Sequence, residues 1–126
     1  MRSKMFLCAQ DVLLNAYTND VSVINIFESM EVRQFPLNIP RMMWLNMLER
    51  DASEPAKKSF DLTVFFDDQE AYRISVLADF GLGLSNRCLA VMLNVSIPGP
   101  CVVRSVFSDA GNILSAYEFK AAPMKA

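Results

Sequence analysis

Histidine is absent from the 126 residues. That removes the Ser–His and Cys–His nucleophile pairs. It also removes the usual base near neutral pH and the commonest metal ligand. Any bond-breaking chemistry would fall to carboxylates, Lys or Cys, and a hydrolase of that kind needs two acids converging in a cleft. Glycine is scarce, with four residues. Two of them lie in Gly81-Leu82-Gly83, which lacks the third Gly and the Lys of a phosphate cradle and has no helix behind it. The cysteines are few, odd in number and far apart (Cys8, Cys88, Cys101). This is neither a disulfide framework nor a zinc pattern, and buried reduced thiols are the expectation.

Two further absences narrow the partners. No run of about 18 apolar residues is present, so no membrane span is expected. The run Met5–Ala9 is too short for the core of a signal peptide, and Gln10 and Asp11 follow it. A cytoplasmic protein is expected. The net charge is −2, and Lys57–Lys58 is the longest basic run. Nucleic-acid binding, which needs a clustered positive face, is not expected. The length is that of one domain over residues 1–126, large enough to bury a core without metal or disulfide. No cofactor is implied.

What the chain has in abundance is apolar side chains, 52% of residues, arranged with period two. Alternation predicts strands over Met5–Val12, Val21–Phe27, Ser59–Phe66, Tyr72–Phe80, Arg87–Ile97, Cys101–Ser108 and Ile113–Lys120. Tyr17–Asp20, Asp67–Glu70, Pro98–Pro100 and Asp109–Asn112 read as turns. In Arg87–Ile97 the set Leu89, Val91, Leu93, Val95 and Ile97 is expected to face inward. Glu28–Gln34 carries no clear pattern. Phe35–Pro40, with two prolines, reads as an extended crossover between sheets.

The central stretch Arg41–Arg50, RMMWLNMLER, holds the only Trp. Its composition would suit a helix, but its apolar part is short and every strong neighbour alternates. It is read as a central strand, apolar on both faces. Turns every 8–12 residues and no helix predict an all-β fold: a single antiparallel β-sandwich of about eight strands.

The segments FLCAQDV, VSVINIFESM, FPLNIP, the LER strand end, SIPGP and SDAGNIL together resemble a family of small bacterial β-sandwich proteins classed as a domain of unknown function. The resemblance spans most of Phe6–Phe119. It implies an Ig-like or C2-like sandwich, no established activity, and no functional residue to carry over. Members usually have a less Met-rich central strand, so RMMWLNM is a departure.

The functional expectation is a non-catalytic binding or assembly module acting through an apolar strand face or a sheet edge. Its protein partner, or a second copy, is expected to meet Met43, Trp44 and Met47. Methionine adapts well at binding surfaces, and surplus apolar surface favours association. The alternative is a small-ligand or cation-binding sandwich using the acidic turn Asp67, Asp68 and Glu70 or the Gly81–Asn86 loop, although no calcium-loop spacing is present and a solvated turn explains the acidic residues.

Overall fold

The computed structural model describes residues 1–125, with nine strands and no helix among them. The strands are β1 (Arg2–Leu14), β2 (Val21–Ile26), β3 (Ser29–Val32), β4 (Leu37–Glu49), β5 (Lys57–Phe66), β6 (Gln69–Asp79), β7 (Ser85–Ile97), β8 (Cys101–Asp109) and β9 (Asn112–Pro123). They form two packed sheets, with strand orders β2-β1-β4-β7 and β3-β9-β8-β5-β6. Arg41–Glu49 is strand, as its neighbours implied, and β4 is central, held between β1 and β7.

Two features depart from the sequence reading. The patternless stretch after Phe27 contains a ninth strand, β3, and it pairs with β9 in parallel, from Ser29 opposite Lys120 to Val32 opposite Pro123. All other pairs are antiparallel. Four residues are too few to show a period. The chain then crosses to the other sheet, as the two prolines suggested, but β4 has already begun at Leu37. Pro40 is tolerated inside it because β1 pairs with β4 only as far as Ala9 opposite Met43. Beyond that point one edge of β4 has no neighbour, so a missing N–H breaks no ladder.

The second departure concerns faces. In β7 the residues turned into the sandwich are Cys88, Ala90 and Met92, then Val95 and Ile97. Leu89, Val91 and Leu93 face out. The step from Met92 to Val95 is odd, so the alternation flips. Asn94 sits at the flip with φ 57, a left-handed conformation that Asn tolerates better than most residues. The same flip occurs alongside in β4, where the core residues step from Ile39 to Met42 across Pro40.

The main core lies between the sheets. Met42, Trp44 and Leu48 of β4 meet Phe60, Leu62, Val64, Val103 and Phe107 from the other sheet. Two side-chain hydrogen bonds from β4 cross this layer. The Trp44 indole Nε1 donates to Ser105 Oγ at 2.8 Å, and Asn46 Nδ2 donates to Ser115 Oγ at 3.1 Å. Each gives a buried polar group the partner that its burial demands. Asp109-Ala110-Gly111-Asn112 is the expected hairpin turn, with Ala110 at φ 48 and Gly111 at φ 88, the pair of positive angles that suits the twist of the flanking strands.

A second apolar cluster lies on the other side of β4. It contains Leu7, Ala9, Val12, Met43 and Leu45, with Val21, Val23, Met47 and Leu89 packed around it and Tyr117 of β9 touching it from the opposite sheet. Leu7, Leu45 and Leu89 are in register across β1, β4 and β7, on the face turned away from the sandwich. Val12, Val21 and Val23 come from the β1–β2 hairpin. The end of β1 therefore leaves the sheet after Ala9 and folds the hairpin over its outer face as a partial third layer. Asn25, opposite Gln10 at the bend, has φ 54 and donates through Nδ2 to Gln10 Oε1 at 2.6 Å.

Candidate functional site

β4 alternates Met42, Trp44, Asn46 and Leu48 inward with Met43, Leu45 and Met47 outward, and both sets are covered. Trp44 is 1% exposed and its only polar atom is bonded within the core. It is a packing residue with no surface to offer. Met43 is buried beneath the hairpin, and Met47 is half-buried at its margin. Of the three residues singled out from sequence, only Met47 can be reached from outside.

Accessible apolar surface lies one strand further out. β7 pairs with β4 alone and forms an edge of its sheet. On its outer face Val91 is 48% and Leu93 is 67% exposed, because the hairpin reaches Leu89 and stops. The outward face of the hairpin adds exposed Leu13 and Ile24, and Ile26 is exposed near its base. The opposite sheet presents a different outer surface. Arg73, Arg104, Glu118 and Lys120 stand on it, and Arg104 pairs with Glu118 at 3.6 Å. Exposed Leu77 and Val102 share that charged surface, and Arg41 stands opposite Leu93 on the other, so the two flanks differ in degree. The sequence missed Val91 and Leu93 because unbroken alternation through β7 placed them inside. Asn94, an odd polar residue within an apolar strand, was the available signal.

The acidic turn is occupied by structural duties. Asp67 has φ 53, and its Oδ1 accepts the Val102 amide at 2.9 Å while its own amide donates to Val102 O at 2.9 Å. These bonds pin the β5–β6 turn to β8. Glu70 accepts from Arg73 at 2.6 Å. Asp68 alone keeps an unengaged carboxylate, and no group of three potential ligands for a metal ion occurs among the described residues.

The three thiols are free. Burial pushes the Cys8 thiol far above its ordinary value and the Cys88 thiol to about 11. Cys101 is raised as well, by burial first and then by the negative charge of Asp67. A raised pKa disfavours the nucleophilic thiolate.

Two clefts flank the third layer. One, of about 450 Å³, opens where β1 separates from β4. Phe27, Met30, Leu37 and Ile39 line it, and the Arg41–Asp11 pair at 3.4 Å stands at its rim. The other, of about 570 Å³, lies between the hairpin tip and the outer face of the sheet. No protein-family model matches this chain, and no curated protein matches it.

Proposed function

We propose that the protein is a non-catalytic binding or assembly module of the cytoplasm that works through the β7 edge and the apolar flank beside it. The observation that carries this reading is the exposure of Val91 and Leu93 on a strand with one unpaired edge. An edge strand offers unpaired backbone groups to another strand, and natural sheets blunt such edges with charge or proline. From Cys88 to Leu93 this strand carries neither. Apolar side chains next to an open edge suit β-strand addition, in which main-chain bonds give affinity and alternate side chains give selectivity. The partner is a second copy of this chain or a protein segment of extended, apolar character.

The finer fold type belongs to the same proposal. We favour Ig-like over C2-like. The order β9-β8-β5-β6 corresponds to G-F-C-C′ of that fold, and the pair β4–β7 facing it corresponds to B–E. The cation-binding alternative has less support, because Asp67 and Glu70 are already engaged.

Sedimentation analysis of the wild-type chain and of Val91→Lys/Leu93→Lys tests the proposal. Concentration-dependent association that the double variant abolishes is the expected result. If wild type stays monomeric and captures no extended apolar peptide from a library, while the variant behaves identically, the proposal fails.

A further inference from the structure

The cleft under the hairpin tip has a one-sided electrostatic character. Its apolar wall is Leu14 and Met47, and its polar wall includes Lys4, Asn19 and Arg87. No acidic side chain lines it among the described residues. Lys4 does reach Glu49 at 3.1 Å, but Arg2 shares that carboxylate at 3.1 Å. One positive charge of the trio is left over.

Arg87 is the more telling residue. It is half-buried and, like Arg33 and Arg50, lacks a carboxylate partner among the described residues, whereas Arg2, Arg41, Arg73 and Arg104 each have one. Its Nη1 donates to Asn19 O at 2.5 Å and approaches Asn19 Oδ1 at 3.3 Å. Asn19 has φ 61 within a turn that its own amide closes on Asn15 O at 2.8 Å. Nε and Nη2 have no acceptor among the described residues. A guanidinium carries five donors, and two parallel N–H groups on one edge match the two oxygens of a carboxylate. The Asn19 contact fixes the guanidinium through one nitrogen and leaves that pairing edge free.

We infer that this cleft binds a small organic carboxylate, its head group on the free edge of Arg87 and its short apolar tail against Leu14 and Met47. The volume lies within the range of ligand clefts, roughly 300–1,000 Å³. The surplus charge at Lys4 adds attraction for an anion. The hairpin tip forms one wall, so occupancy also ties the third layer to the sheet.

Titration with sodium hexanoate at constant ionic strength tests the inference, followed by the Arg87 Nε and Met47 methyl resonances. Saturable shifts confined to the cleft are expected, with hexanol and hexylammonium giving none. Arg87→Gln weakens binding by about tenfold or more. Arg87→Gln also removes the Asn19 contact, so Leu14→Glu serves as a second variant. Leu14 is half-exposed, and an acid there repels the anion or occupies Arg87, with the same loss of binding and unchanged Trp44 emission. Absence of saturable shifts overturns the inference. So does equal binding by inorganic phosphate, which has no tail, or undiminished binding in both variants.

Discussion

Leu45→Ala is the sharpest test of the third layer. Leu45 stands on the face of its sheet that points away from the sandwich, yet it is 0% exposed. Leu7 and Leu89 flank it in register, and Val12, Val21 and Val23 of the hairpin close over the cluster it belongs to. If the hairpin is a true layer, truncation behaves as a core substitution, for which Leu→Ala costs about 2–5 kcal/mol. The hairpin is a two-stranded ribbon that can settle into the gap, so the lower part of that range, about 2–3 kcal/mol, is expected. Leu93→Ala provides the control on the same face of the same sheet. Leu93 is largely exposed, and such substitutions stay within about 0.5 kcal/mol. Trp44, the only Trp and fully buried, reports unfolding in urea without labelling. With a slope of about 1–3 kcal/mol per molar, the Leu45 variant should lose roughly 1–2 M in midpoint, and Leu93→Ala almost nothing. A Leu45→Ala midpoint indistinguishable from wild type would refute the three-layer account, as would equal losses in the two variants.

Ser105→Ala leaves the Trp44 indole N–H without a partner in a dry layer; a loss of about 1–3 kcal/mol is expected. Trp44→Phe/Ser105→Ala should be more stable than the sum of the single losses implies, and a thermodynamic cycle from urea melts checks both. A thiol-specific reagent at pH 8 should modify Cys101 slowly in the native protein and reach Cys8 and Cys88 only in denaturant; rapid native labelling of all three would contradict the burial described. Lys4 first, and then Arg2, hold the Glu49 carboxyl below its ordinary value. A depressed folded value means that its contribution is fully present above the ordinary glutamate range, about 4.3. That contribution disappears as pH falls through the lower folded value. Glu49→Gln should flatten the acid limb of the stability curve, read by thermal melts across pH 2–6.

Sequence alone carried the fold where alternation was unbroken. Phe60, Leu62 and Val64 in β5, and Val103, Ser105 and Phe107 in β8, face the side that period two assigns. The reading failed where the backbone left the regular β conformation. Asn94 and Pro40 sit opposite each other at a kink, and past that point every side chain changes face. Asn25 marks a similar bend beside Gln10. One angle at one residue reverses the exposure of a whole half-strand, so Val91 and Leu93 were placed inside. The two-faced apolar character of β4 was legible, but its cover was not. Val12, Val21 and Val23 read as ordinary sheet residues, and nothing in their spacing says that their hairpin folds back onto the sheet. Trp44 and Met43 were consequently assigned to a surface that the hairpin and the core already fill.

The parallel ribbon between β3 and β9 sets a timetable for folding. Ser29 meets Lys120 across about ninety intervening residues, and the Tyr117 hydroxyl reaches back to the Phe27 carbonyl over the same span. Closing so long a loop is slow. Until β9 arrives, the nascent Ser29–Val32 ribbon has no companion and the Tyr117–Phe27 link beside it stays unmade. β1 and β2 can already pair with each other and β1 with β4, but Ser29–Val32 must wait for β9, and removing β9 should release that segment far upstream of it.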